Sequence, residues 1–474
     1  MAKLRDDQVA DLAFYISQKK CLNLSDPGAG KTPSVCVNQY QREGRTVWVQ
    51  PKVLMPKNQL EIVRFTPLTL RDVAIVDGTP KQVDDAMNSG AKVFLMGPDR
   101  FKRVWADLPA DVTALDVDEF HMCFSGAGTR VTFEGPQPSA RVEAFYAAQS
   151  RFDQGVFMTG TLINGRLDTA YPAIHAIEPN YYPFGYEQFL GAHAYLDEYG
   201  RPIDWYNHQR LAEIFARHGI RRTFEEVHGK QEVYKEVQWL RMNDKQRALY
   251  DEFAEQAYLE LEEFFINGDQ PGVATIRARQ IMEHPNHFRD LRDPYNLPHI
   301  DICPGERPSK LDALEIHLED HNRRGTPVII GAALIPQMEQ IVDLARSMGR
   351  RVGLINGDTS ARDKNEYDEG FRAGRYDTLV ISPPTAGVGF NWQFCGDKEV
   401  DHVIFASLTY KDSDYEQMYK RAIRGARSRP LRVTTLGYID SVDIRLMTIL
   451  ERKSRDAHLV DPTRELLKFV TEEG

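Results

Sequence analysis

The sequence predicts an α/β chain of two lobes, each a parallel sheet flanked by helices, joined by a helical linker. Three observations carry this reading. Short runs rich in Val, Leu, Ile and Phe recur between helical patterns in the first part of the chain, and again after residue 308. These runs are apolar at successive positions, as strands covered on both faces must be. Between the two stretches the pattern turns to acidic helix and then to a segment broken by prolines. The expected division is 1–225 for the first lobe, 226–308 for the connecting region and 309–474 for the second lobe. A chain of 474 residues exceeds one ordinary core and suffices for two or three domains.

In the first lobe the expected strands are Cys21–Leu24, Thr46–Gln50, Val93–Met96, Val112–Val117 and Val156–Met158, with helices such as Thr32–Gln41 in the gaps. In the connecting region, Asp244–Ile266 reads as one long helix, with Leu249, Phe253, Ala257, Leu261 and Phe264 on one stripe. Its other, acidic face is solvated. Pro285, Pro294, Pro298, Pro304 and Pro308 then impose a break. The second lobe follows with strands at Val328–Ala332, Val352–Ile355, Thr378–Ser382, His402–Ala406 and Arg432–Tyr438. No low-complexity tract or short-period repeat interrupts the order.

Hydrophobic residues make up 42% and charged residues 27%, the balance of a soluble globular protein. The longest apolar run, Val328 to Ile335, is too short to span a bilayer, and Met1 to Asp11 lacks the pattern of a secretory signal. Cys21, Cys36, Cys123, Cys303 and Cys395 are scattered, without zinc-ligand spacing and odd in number. A reducing, cytoplasmic compartment is the expectation. The net charge of −10 argues against a simple basic nucleic-acid binder, but not against a motor that grips a phosphate backbone along one basic cleft.

Ser25-Asp26-Pro27-Gly28-Ala29-Gly30-Lys31-Thr32 follows an expected strand and precedes an expected helix. That is the setting of a phosphate-binding loop. Gly28 and Gly30 let the backbone curl so that its N–H groups face phosphate. Lys31 reaches the β- and γ-phosphates, Thr32 holds Mg²⁺, and the helix N-terminus adds its dipole. Ser25 stands where the usual pattern opens on glycine. Further on, the apolar run Thr113–Val117 ends in Asp118-Glu119-Phe120-His121. Such a strand places two carboxylates at its C-terminal end, where α/β sites form. Asp118 is the candidate Mg²⁺ ligand and Glu119 the candidate base for an attacking water.

With these motifs the chain resembles the superfamily 2 helicases and translocases, and within them the Swi/Snf-like branch. Leu4-Arg5-Asp6-Asp7-Gln8 resembles the segment whose Gln reads adenine. Pro51-Lys52-Val53-Leu54 resembles the first DNA-contacting motif, Asp118-Glu119-Phe120-His121 the Asp-Glu-x-His box, and Thr159-Gly160-Thr161 the motif coupling ATP state to the other lobe. Ile220-Arg221-Arg222-Thr223, Arg279-Gln280-Ile281 with His284-Pro285, and Ser309-Lys310-Leu311 match Swi/Snf-like segments in family order. Ser382 to Asn391, including Thr385 and Ala386-Gly387-Val388-Gly389-Phe390-Asn391, resembles the fifth motif. Gln417, Arg421 and Arg424 reproduce the spacing of the sixth. That spacing, i, i+4 and i+7, places the three within one helical face, and two guanidiniums on one face suit a γ-phosphate. A solvated basic helix is the alternative. The departures are Asp26-Pro27 for the usual Asp-Glu, Phe120 for a small residue, and Arg427 where a Gln often stands.

The resemblance implies two RecA-like lobes closing on ATP·Mg²⁺, with Lys31, Thr32, Asp118 and Glu119 from one and Arg421 and Arg424 from the other. It implies Gln8, the loop 25–32 and Gly389 as nucleotide contacts. His121, Thr159, Thr161 and Gln417 are the coupling residues, and Lys52 and Thr385 the nucleic-acid contacts. Arg100 is a weaker candidate, a plain surface charge being at least as good a reading. The expected partner is duplex DNA, with single-stranded DNA or RNA as rivals. A strand-separating helicase and an ATP-gated clamp are the rival functions. Trp205-Tyr206 and Phe264-Phe265 are the nearest candidates for a strand-splitting wedge, and both read more simply as packing residues.

Overall fold

The computed structural model describes residues 2–128, 130–132, 135–163, 166–256, 258–261, 264–267, 271–288, 300–387, 389–464 and 466–469. The chain divides into two compact units. One is Met1–Lys230 together with Lys453–Leu466, the other Gln231–Arg452 together with Leu467–Gly474.

The first unit is organised on β1 Lys20–Asn23, β2 Arg45–Val49, β3 Val73–Ile75, β4 Val93–Met96, β5 Val112–Val117, β6 Gly155–Met158 and β7 Gly219–Ile220. They form one seven-stranded sheet in the order β7-β1-β6-β5-β2-β4-β3, and every pairing is parallel. Successive side chains leave opposite faces of a strand, and both faces here are buried. Leu22, Val47, Val49, Val117 and Phe157 join one core cluster, while Cys21, Trp48, Val156 and Met158 join another. All five first-lobe strands expected from the sequence are present, each end within a residue. The short β3 and β7 are additional.

The second unit holds β8 Val233–Leu240, β9 Val328–Gly331, β10 Val352–Ile355, β11 Thr378–Ile381, β12 His402–Phe405 and β13 Leu431–Tyr438. They form a six-stranded sheet in the order β8-β13-β12-β9-β11-β10, again wholly parallel. The fold is therefore α/β with two parallel sheets flanked by helices. The segment expected as connection contributes β8, which pairs with β13 along its full length. Its half-exposed, alternating side chains suit an edge strand and form no continuous apolar run.

One expectation is corrected here. Asp244–Ile266 is not one helix: the helix ends at Gln256, and Tyr258–Leu261 pairs antiparallel with Phe264–Asn267. The run Tyr258, Leu259, Leu261, Phe264, Phe265, Ile266 is rich in aromatic and branched residues, which favour strand once helical packing is absent. Ala257, Pro294 and Pro298 lie outside the described residues, as do the side chains of Leu261 and Phe264. Trp205 ends a hairpin, Ala194–Leu196 with Pro202–Trp205, and packs partly on the first core, in line with its simpler reading as a packing residue.

The segments 279–285 and 309–311 meet around a buried ion cluster in the second unit. Lys310 lies 2.8 Å from Glu283 and 2.9 Å from Asp443, with side chains 1%, 0% and 5% exposed respectively. Gln337 donates to Glu283 at 2.7 Å, and Lys310 also faces the Tyr438 ring at 4.9 Å. Burial pushes Glu283 up to about 7, with Lys310 opposing the rise.

Candidate functional site

In the first sheet β1, β6 and β5 are consecutive neighbours, and each ends in one of the expected motifs. The phosphate loop follows β1, the Asp118-Glu119 pair follows β5, and Thr159 follows β6 between them. Parallel strands deliver their carboxyl ends to a single edge, so topology alone gathers these three motifs.

The loop turns through left-handed Gly28 and Gly30, both at φ 89°. Gly30 caps the helix Lys31–Gln41, and a Cβ on it would come within 2.9 Å of the Arg5 guanidinium and the Gln8 amide. Those two side chains hold the outside of the loop. Gln8 donates to the Gly30 carbonyl at 3.0 Å and Arg5 to that of Ala29 at 2.8 Å. The departures from the usual pattern have partners of their own. Ser25 accepts from the Arg222 backbone N–H at 3.0 Å. Asp26 takes Arg221 at 2.8 Å and the Phe224 N–H at 2.9 Å. Pro27 packs against Gly160, where a Cβ would stand 2.7 Å from the ring, so Thr159-Gly160-Thr161 touches the loop directly.

Lys31 donates to the carbonyls of Ser25 and Asp26, at 2.7 and 3.2 Å. Burial lowers its pKa, and the charges of Glu119, Asp118 and Asp26 draw it back up. A cation hydrogen-bonded to its own loop's carbonyls suits an incoming phosphate, which offers stronger acceptors. Thr32 stands in the first turn of the same helix.

Asp118 is buried at the end of β5; it accepts from the Glu119 N–H at 3.0 Å and from Asn58 at 3.3 Å. Burial raises its pKa, the Glu119 charge adds to the rise, and Lys31 opposes it. Glu119 itself is left-handed at φ 46°. A non-glycine residue held there costs about 1–3 kcal/mol, and such outliers cluster at functional sites. His121 stands between the acid pair and Thr159: its Nδ1 lies 3.7 Å from Glu119 and 2.7 Å from the Thr159 hydroxyl. That hydroxyl also accepts from the Thr161 N–H at 3.0 Å. Phe120 is fully buried among Phe124, Phe145 and Phe157, with ring centroids 5.5–5.9 Å away. An aromatic core under the box accounts for the large residue there.

The structure places Lys52 at the start of a short 3₁₀ turn, with its ammonium 2.9 Å from Asp77. Arg100 donates to Gly78 and lies 3.7 Å from the same Asp77. Both are thus engaged within the first unit.

Thr385, Gly389, Gln417, Arg421 and Arg424 belong to the second unit. Thr385 follows β11 in a 3₁₀ turn; Gly389 is exposed and left-handed at φ 72°; Val388 lies outside the described residues. The single helical face expected for Gln417, Arg421 and Arg424 does not form. The helix Asp412–Tyr419 ends before Arg421, a 3₁₀ turn follows over Lys420–Ala422, and Arg424 lies beyond it. Gly425 and Ser428 make the stretch a poor helix former. The two arginines still converge on the fifth-motif segment: Arg421 donates to Ala386 at 2.7 Å and Arg424 to Phe390 at 3.3 Å. Arg427 is a buried staple that donates to the carbonyls of Ala422, Val400 and Arg429.

Sequence reasoning missed Arg5, Asn58 and Arg221 as residues that hold the site. Their contacts depend on which strands are neighbours, and spacing carries no sign of that.

Residues 309–426 match the family model of the helicase conserved C-terminal domain. Among solved structures the chain is similar to the Hef helicase domain of Pyrococcus furiosus, with a TM-score of 0.52 and 15% identity, over 93% of this chain and 97% of that one. No curated protein matches it. The family match lies within the second unit, and the structural likeness is one of fold, two RecA-like lobes each built on a parallel sheet. No helix of the described residues is long and apolar enough to cross a membrane.

Proposed function

We infer that the chain is an ATP-driven motor that moves along duplex DNA in the manner of the Swi/Snf-like branch. The observation that carries this reading is the delivery of the phosphate loop, the acid pair and Thr159 to one sheet edge by β1, β5 and β6, in a chain that also carries a helicase C-terminal domain. The Swi/Snf-like assignment itself rests on the segments 220–223, 279–285 and 309–311.

The residues present fit ATP and Mg²⁺: a glycine-turned loop at a helix N-terminus, a buried lysine on carbonyls, and a buried aspartate beside it. Lys31 and the loop N–H groups hold the phosphates, Thr32 and Asp118 hold the metal, and Gln8 reads the base. Mg²⁺, when bound, supplies charge neutralisation on the phosphate oxygens. Glu119 orients the attacking water and takes its proton, and Arg421 and Arg424 supply guanidiniums for the γ-phosphate. His121 passes the state of Glu119 to Thr159, and Gln417 serves the same coupling from the second unit. Lys52 and Thr385 are the backbone contacts, Lys52 exchanging Asp77 for a DNA phosphate.

A strand-separating helicase is the second reading. The hairpin that ends at Trp205 favours it, because Tyr199 stands 66% exposed in the turn. Splitting a duplex costs on the order of 1–2 kcal/mol per stacked step and needs such a wedge. ATPase assays with duplex DNA, single-stranded DNA and RNA, beside triplex-displacement and forked-duplex assays, decide between the two. Duplex-stimulated turnover with third-strand displacement and little fork opening is expected, with binding that falls steeply in salt. Robust fork unwinding without triplex displacement would transfer the protein to the helicase reading.

A further inference from the structure

After the second sheet the helix Val442–Val460 carries the chain back into the first unit, where Lys453–Leu466 is built in. Ala457 and Val460 join the first core, and Arg464 is buried with them. The turn Asp461-Pro462-Thr463-Arg464 is tightly made. Asp461 Oδ1 accepts from the Thr463 hydroxyl at 2.6 Å and from its N–H at 3.2 Å, and the Arg464 N–H returns to the Asp461 carbonyl at 3.0 Å. Asp at the first turn position and Pro at the second pre-form such a turn.

This turn faces the nucleotide machinery. Asp461 Oδ2 lies 2.9 Å from Arg221, and Arg221 also donates through Nε to the Thr463 hydroxyl at 2.7 Å. The same guanidinium bonds the Leu24 carbonyl, just before the phosphate loop, and Asp26 within it, at 2.8 Å. Arg221 is thus a bracket with the loop on one side and the returning turn on the other. Three residues along, Arg464 donates to the Ile163 carbonyl at 2.8 Å, just past Thr159-Gly160-Thr161. His458 lies 2.7 Å from the Arg464 carbonyl and braces the turn.

We propose that Asp461 and Arg464 are positioning residues of the nucleotide site: the returning turn fixes Arg221 against the phosphate loop and holds the segment behind Thr161. This deepens the ATP-site reading and rests on it. Arg221 has two carboxylates to choose between, and Asp461 with Thr463 fixes its plane, so that the fork keeps its bonds to Leu24 and Asp26. Without that anchor the guanidinium is free to rotate, and the loop meets phosphate less well formed. The consequence falls on nucleotide binding, since Asp461 touches no reacting atom.

The test is Asp461→Asn, which keeps the size and the turn but removes the charge, beside Asp461→Glu, which restores it. ADP·Mg²⁺ affinity, the KM and kcat for ATP, and the melting temperature are measured on the full chain. Asp461→Asn should weaken ADP binding and raise KM about tenfold, with kcat within about twofold, and Asp461→Glu should recover most of the loss. Wild-type ADP affinity in Asp461→Asn would overturn the proposal. So would a loss that Asp461→Glu shares in full and that follows the melting temperature. If the wild-type chain itself binds no ADP·Mg²⁺, the ATP-site reading fails instead.

Discussion

Replacing Lys310 by Met tests the ion cluster that joins three segments of the second unit. Lys310, Glu283 and Asp443 are almost wholly buried, and one ammonium serves two carboxylates. Methionine fills the space of the lysine stem but takes away the cation that bridges Glu283 and Asp443. Removing one partner of a buried ion pair costs about 3–5 kcal/mol. Glu283 moderates that cost because burial already holds its pKa at about 7, above the ordinary 4.5. Its raised folded value means that the native state binds the proton more tightly than the unfolded chain, so this group's penalty is absent below about pH 4.5 and grows as pH rises through 7. Loss of Lys310 removes the charge that opposes the rise, so the folded pKa of Glu283 moves higher still. The deficit of Lys310→Met should therefore be smaller at pH 6 than at pH 8, and Glu283→Gln in the same chain should recover at least about 1 kcal/mol. Hydrogen exchange read on peptides of residues 271–288 and 309–324 follows this unit apart from the other. A deficit below about 1 kcal/mol that is flat with pH, or a double variant weaker than Lys310→Met, would refute the reasoning.

Glu119→Gln keeps the left-handed backbone and the side-chain volume but cannot take a proton. It should bind ATP and lower kcat by about 10²–10⁴-fold, and a rate within a few-fold of wild type would remove Glu119 as the base. The second sheet should also be acid-sensitive. His321 and His402 bond each other at 3.0 Å, with Arg324, Arg350 and Arg432 around them; burial first, then these charges, hold His321 down at about 3 and push His402 lower too. With folded values below the unfolded 6.5, the stability these groups supply is lost as pH falls below about 6.5, at about 2 kcal/mol each by pH 5. Urea unfolding of wild type and His402→Gln at pH 7 and pH 5 checks this, the variant losing less between the two. Equal losses would exclude the pair as the cause.

Much of the fold is legible in the chain because a buried parallel strand announces itself as a continuous apolar run. Val93–Met96, Val112–Val117 and Val352–Ile355 are recovered to the residue, and the phosphate loop and acid pair fall at strand ends as their composition requires. What stays hidden is what depends on neighbours. β8 alternates because it lies at an edge. Gln417, Arg421 and Arg424 share a helical spacing, yet the helix stops at Tyr419, and the two arginines are placed by carbonyls of Ala386 and Phe390 instead. Arg5 and Gln8 lie 24 and 22 residues before Ala29 and Gly30, and side-chain bonds bring them there. A periodic pattern reports which face is apolar; it carries nothing on which segment covers that face.

The return of Lys453–Leu466 to the first unit shows the same limit at the scale of domains. A boundary drawn from composition assumes that a lobe is one continuous stretch, and on that assumption residues 1–225 are the complete first lobe. Yet Ala457, Asp461 and Arg464 share a small cavity with Leu24, Gly160, Leu162, Ile163, Phe215 and Arg221. Cutting the chain at residue 225 would bare the apolar side chains beneath Ala457 and Val460 and strip Arg221 of its second carboxylate. Burying two small aliphatic side chains is worth about 1–3 kcal/mol together, a sizeable share of a domain's net stability. Weak nucleotide binding by such a fragment would then report a missing piece of its own core and of the bracket on its phosphate loop, whatever the second sheet contributes. A lobe meant to stand alone must carry residues 453–466 as well, joined through a linker, before its chemistry is compared with that of the whole chain.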